Sequence, residues 1–196
     1  MTKNLDNKGL KSIVENYDID GVHLDYVRYP NNNFDYSKYA LDRFKAEIQS
    51  TISLDERARV DKLESIDPFA YPETFPEQWK QIRMAQLTAL VARLSNTIHR
   101  IRPSALVSAA VIPDYTDALV NTLQYWRTWV DNGFIDSLCP MAYTIDAEVF
   151  ATQIKEIRAL TPGSQLWAGI GAYRLSPRQT LKNINTAKKQ KILDKG

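Results

Sequence analysis

The chain has 196 residues, 44% of them hydrophobic and 24% charged, which fits one globular domain large enough for a sizeable core. A formal net charge of +2, with no basic run interleaved with aromatic residues, argues against a nucleic-acid partner. The single cysteine, Cys139, excludes an internal disulfide, and no stretch has the length of a membrane span or the apolar centre of a signal peptide.

Leu10, Ile13 and Val14 predict a short amphipathic helix over residues 5–16, which runs directly into IDGVHLDYVRYP. A strand over residues 20–26 would put Gly21, His23 and Asp25 on one face and Val22, Leu24 and Tyr26 on the other, the apolar set turned towards a covering helix. The polar loop NNNFDYS follows Pro30, and Ser37 is the expected N-cap of a helix carrying Tyr39, Leu41, Phe44 and Ile48. Residues 50–76 are charged and punctuated by Pro68, Pro72 and Pro76, so a long excursion is expected, with a helical turn near 54–63. From 77 to 101 the chain shows its longest helical pattern, with Ile82, Leu87, Leu90, Val91, Leu94, Ile98 and Ile101 on one side and Pro103 as its stop.

The runs ALVSAAVIPDY, FIDSLCPMAYT and QLWAGIGAYRL predict further strands near 105–112, 135–143 and 165–172. Helices are expected over 117–132, closed by Gly133, over 147–160, closed by Pro162 and Gly163, and from Pro177 to Leu193. Helix and strand alternate throughout, which is the pattern of a parallel sheet with helical crossovers. The only paired glycines, in GIG, lack the spacing of a phosphate loop or a dinucleotide turn, so a nucleotide-binding fold is the weaker reading.

Several of these runs also carry a resemblance. IDGVHLDYVRYP resembles the DGIHLDYIRYP signature of the glycosyl hydrolase-like family 10 domain, a group of TIM-barrel glycosidase-like proteins of bacterial envelopes. WKQIRMAQLTALV, SAAVIPDY, YWRTWVDNGFIDSLCPMAYT and LWAGIGAY are similar to that family's following segments, in the same order. The resemblance implies an α/β fold of the (β/α)8 barrel type, of which residues 1–196 form a single domain holding about strands four to seven of a barrel that normally needs about 250 residues. It implies that strands one to three precede Met1 and strand eight follows Gly196, supplied by a longer chain, and that the protein is exported, periplasmic or envelope-bound. Alone, such a piece would leave two open sheet edges and be marginal. A more distant similarity to the family-18 chitinase signature breaks where it matters, because His23 stands where those enzymes carry an Asp, and Val27 and Arg28 where their catalytic Glu would fall.

Glycoside hydrolysis usually needs two carboxyl groups, about 5–5.5 Å apart for retention and about 6.5–9.5 Å for inversion. Asp25 is the first candidate and Asp114, just beyond the next strand, the second; Asp146 and Glu148 fall where a helix N-terminus would welcome acids anyway. His23 could tune the neighbours of Asp25 or simply pack inside a strand. Arg28 and Arg83 could orient a carboxylate or acidic substituent, with Arg83 reaching towards the Asp25 loop. Tyr29, Tyr115, Tyr143 and Tyr173 recur at strand ends and could form a sugar-stacking wall, although core packing explains any one of them equally. Tyr143, in PMAYT, also resembles the MxY element of chitinase barrels.

The sequence therefore points to a glycosidase acting on a polysaccharide or oligosaccharide, with no cofactor and no metal. The alternatives are a carbohydrate-binding barrel without catalysis and a metal-dependent deacetylase, the latter disfavoured because the chain has only two histidines, His23 and His99.

Overall fold

A computed structural model describes residues 5–192, with side chains from Lys8 to Lys189. Its order is α1 (Leu5–Asn16), β1 (Gly21–Leu24), α2 (Lys38–Gln49), α3 (Leu54–Glu64), α4 (Ala70–Thr74), α5 (Pro76–Ile101), β2 (Leu106–Val111), α6 (Tyr115–Val120), α7 (Trp126–Asp131), β3 (Ser137–Ala142), α8 (Ala147–Leu160), β4 (Gln165–Leu166), β5 (Gly169–Ile170) and α9 (Pro177–Ile192). Leu193, the expected end of the last helix, lies outside the described residues. All strand pairings are parallel, β1 to β2, β2 to β3, and β3 to both β4 and β5, so every strand ends at the same edge of the sheet. This mixed α/β architecture is compatible with part of a TIM-like barrel.

The two faces of the sheet differ as the period of two requires. Val107, Ala109 and Val111 of β2 and Leu138 of β3 are fully buried, packed with Leu87, Val91, Leu94 and Ile98 of α5, Trp126 and Trp129 of α7 and Ile157 of α8. On the other face His23 and Leu106 are exposed and Cys139 is half-buried, whereas Ser108 is enclosed between its neighbours. The covered face is a true core: truncating a buried tryptophan such as Trp129 costs about 3–5 kcal/mol in comparable sites.

Four elements differ from the sequence reading. β1 ends at Leu24, because Tyr26 adopts a left-handed conformation (φ 54°) that no strand accommodates, so Tyr26 is exposed instead of facing a helix. The helix expected over 117–132 is two short helices, separated where Leu123 is also left-handed (φ 53°) and fully buried. The fourth strand is split into β4 and β5. Both parts pair with β3 in one register, and the gap lies opposite Cys139 and Pro140, where proline has no N–H to donate.

The excursion over 50–76 is more regular than expected, since α3 and α4 fold with α2 and the start of α5 around a second core of Phe44, Ile48, Val60, Tyr71, Phe75 and Trp79. Polar groups cross-link this unit. Lys45 on α2 pairs with Asp61 (3.0 Å) and with Glu64 on α3, and the Tyr71 hydroxyl donates to Asp61 (3.0 Å). The hydrogen bond from Lys45 holds the Asp61 carboxyl below the usual carboxylate range, and the bond to Glu64 holds Lys45 above the usual lysine value. A depressed carboxyl pKa contributes stability that is present above its unfolded value and lost as pH falls through the folded one; the raised Lys45 contribution is lost only on the alkaline side. Thermal unfolding followed from neutral to acid pH is expected to show a shallower acid decline in Asp61→Asn than in the parent, and superimposable acid limbs would contradict this assignment.

Candidate active site

Because all strands run the same way, the residues after β1, β2, β3 and β5 gather along one edge, and these are the stretches that hold Asp25, Asp114, Tyr143 and Tyr173. The loop after β1 turns sharply. Asp25 Oδ1 accepts from the Tyr26 amide (2.8 Å), the Arg28 amide donates to the Tyr26 carbonyl (2.7 Å), and the Arg28 guanidinium lies 4.9 Å over the Tyr26 ring. Arg28 Nη1 then points across the edge towards Met141 Sδ of β3, at 3.8 Å. Asp25 is exposed and makes no ion pair among the described residues.

The segment between α6 and α7 holds that loop in place. The fully buried Gln124 donates through Nε2 to the carbonyls of Val27 (3.2 Å) and Ala110 (2.9 Å) and accepts at Oε1 from the Ile112 amide (2.8 Å). The Thr122 carbonyl accepts from the Tyr29 amide (3.0 Å), and Trp126 Nε1 donates to the Ile112 carbonyl (3.1 Å). Gln124 is a structural support of the candidate site that the sequence reading missed, and its one signal is a lone amide in the run TLQYW. Burying it is tolerated only because three of its hydrogen bonds are made.

The remaining candidates separate by position. His23 lies on the open face two residues before Asp25, with Nδ1 2.9 Å from Ser108 Oγ. Burial pushes the Cys139 thiol up, only partly offset by a hydrogen bond with the same Ser108. Tyr143 and Tyr173 are exposed at the rim, and Trp167, which was not singled out from the sequence, is exposed between β4 and β5. Close approach of Tyr143 explains the GIG glycines: a Cβ on Gly171 would lie 3.2 Å from Tyr143 Cβ, and one on Gly169 would lie 2.8 Å from the Pro140 carbonyl oxygen.

Arg83 and Tyr29 sit behind the rim. Arg83 is 5% exposed, and its Nη1 donates to the carbonyls of Asn32 (2.7 Å) and Phe34 in the loop after β1. It therefore reaches the Asp25 loop, through backbone carbonyls and not through a carboxylate. Desolvation lowers its pKa, and burial likewise raises that of Tyr29. Asp114 is the N-cap of α6, accepting from the Asp117 amide (2.8 Å) at Oδ1. Tyr115 lies in α6 itself, 4.7 Å from the Trp126 ring, with its hydroxyl pushed up to about 12 mainly by burial. Asp146 caps α8 in the same manner, accepting from Glu148 and Val149.

Among the described residues no group of three His, Cys, Asp or Glu side chains is placed so that it could hold a metal ion, and no helix is long and apolar enough to cross a membrane. His99 pairs with Asp136 (3.6 Å), whose carboxylate also accepts from the Val107 amide at the start of β2, at the opposite edge of the sheet from Asp25.

The model of the glycosyl hydrolase-like 10 family matches residues 2–185. The chain belongs to the glycosyl hydrolase-like 10 family. No curated protein matches the sequence. The family's name suggests a glycosidase-like fold, and the matched span takes in the whole edge from Asp25 to Arg174.

In this family member the edge is expected to depend on Gln124 and on the GIG glycines. Gln124→Leu strands an amide and two carbonyls and is expected to cost at least about 1–3 kcal/mol in urea unfolding. Gly171→Ala should cost about 1–3 kcal/mol by crowding Tyr143. Gly9→Ala, whose added Cβ meets nothing in α1, should gain up to about 1 kcal/mol. Equal effects at Gly9 and Gly171 would contradict the close-approach argument.

Proposed function

We propose that the protein is a glycoside hydrolase that cleaves O-glycosidic bonds of a polysaccharide, with Asp25 as a catalytic carboxylate. The observation that supports this reading is the exposed carboxylate of Asp25 at the strand-end edge, without an ion pair among the described residues, with the aromatic rings of Tyr26 and Tyr143 exposed at that edge and Trp167 exposed between β4 and β5. In the proposed mechanism a sugar stacks on those rings, and Asp25 either protonates the leaving oxygen or attacks the anomeric carbon. Asp114 is the proposed partner. Its Oδ1 is committed to the α6 cap, which fixes the carboxyl group's orientation while Oδ2 stays available to water or substrate. His23 is proposed to orient groups beneath Asp25 through Ser108.

We further propose that the sheet is one part of a (β/α)8 barrel. The open face and the outer edges of β1 and β4 support this, because a strand that stops with unpaired backbone groups is completed most cheaply by further strands.

A second reading, carbohydrate binding without catalysis, draws on a specific observation: both Asp114 and Asp146 serve as helix caps. The two readings part on Asp25→Asn. Hydrolysis of the polysaccharide is expected to fall by about 10²–10⁴-fold with sugar binding retained. Unchanged hydrolysis would remove Asp25 from the mechanism, and binding with no hydrolysis in the parent protein would favour the second reading. Asp114→Asn keeps a capping side chain and is expected to lower turnover far more than stability.

A further inference from the structure

Two arginines converge on the end of β3 from opposite sides. Arg28 comes from the loop after β1, passes the end of β2, and sets Nη1 3.8 Å from Met141 Sδ. Arg174 comes from the 3-10 turn after β5 and donates through Nη1 to the Tyr143 carbonyl (3.2 Å). Both guanidinium groups are thus held at the same three residues, Met141–Tyr143, beside the exposed Tyr143 ring.

Neither has a counter-charge among the described residues. Among the described residues, Arg57, Arg102 and Arg127 pair with Asp61, Asp18 and Asp131, while Arg28 and Arg174 are held only by a ring face, a thioether and a carbonyl. Asp25, in the same loop as Arg28, and Asp146, just beyond Tyr143, make no ion pair with either arginine among the described residues: Asp25 accepts from the Tyr26 amide, and Asp146 caps α8 by accepting from the Glu148 and Val149 amides. Positioning two cations against neutral partners leaves most of their donors for something that is not protein. A guanidinium fork fits a carboxylate with two parallel hydrogen bonds, which a neutral hydroxyl cannot match.

We infer that Arg28 and Arg174 form a subsite for a carboxylate carried by the substrate, so that the glycan bound at this edge is an acidic one. This rests on the proposed glycan site and adds the chemical class of its ligand. Tyr143, between the two cations, would stack on the ring that bears the acid.

The test compares two matched oligosaccharides of equal length, a neutral glucan and its uronate counterpart, titrated calorimetrically into the full chain at low and high salt. The parent is expected to bind the uronate at least about tenfold more tightly at low salt, the gap narrowing as salt rises. Arg28→Gln and Arg174→Gln should each shrink that preference while leaving neutral-glucan affinity within about twofold, and Arg178→Gln on α9 should leave both unchanged. Should the half-buried Arg28 position fail to fold on substitution, the exposed Arg174 carries the comparison. Equal affinities in the parent, no binding of either sugar, or a preference that survives both substitutions would overturn the inference. Turnover is a separate readout: uronate binding without any hydrolysis by the parent would sink the hydrolase reading and leave the acid preference standing, whereas hydrolysis intact without any preference would sink the subsite alone.

Discussion

The strand-end edge that carries Asp25 depends on one buried amide. Where β1 gives way to its loop and β2 to its turn, the ladder between them ends and leaves backbone groups that water cannot reach. Gln124 satisfies three of them at once, the carbonyls of Val27 and Ala110 and the amide of Ile112, while Trp126 takes the Ile112 carbonyl. Each unmade bond in such a place costs about 1–3 kcal/mol, more than the net gain from most hydrogen bonds on the surface. The left-handed Leu123 beside it, a strain of about 1–3 kcal/mol, is what the chain accepts to aim Gln124 inward. Tyr26 carries the same strain on the loop that Gln124 holds, so both distorted residues flank one junction.

From that junction the site follows. Tyr26 turns outward and gives Arg28 a ring to lie on, which carries the Arg28 cation past Asp25 and towards β3. The small residues of GIG then bring β5 and its turn close to Tyr143, and Arg174 closes the far side. Arg83 works from behind, its buried guanidinium fastening the Asn32 and Phe34 carbonyls to the aromatic second core.

Much of this was legible in the sequence, for physical reasons. The parallel sheet, the long α5 helix, and the strand-end position of Asp25 all follow from periodicities that local sequence imposes. The Ser37 cap and the stop at Gly133 (φ 65°) were equally local. What escaped was set by tertiary contact. No local pattern says that residues 121–125 must leave the helix, because the reason is the distant Val27 and Ala110 carbonyls. Asp114 and Tyr115 were legible differently: an acid followed three residues later by Asp117 at the start of a helix is a capping signal, and Tyr115 belongs to the core beside Trp126. Pro140 inside a predicted strand already announced the break between β4 and β5.

The strand-end edge between Asp25 and Tyr143 is proposed to bind the glycan. A crystal structure of the Asp25→Asn protein with a bound oligosaccharide tests it most directly. The expected result is a sugar ring stacked on Tyr143, an acidic substituent within hydrogen-bond distance of Arg28 or Arg174, and a glycosidic oxygen beside residue 25. A sugar seated at the opposite edge, near Asp136 and His99, or on the surface of α9, would contradict it.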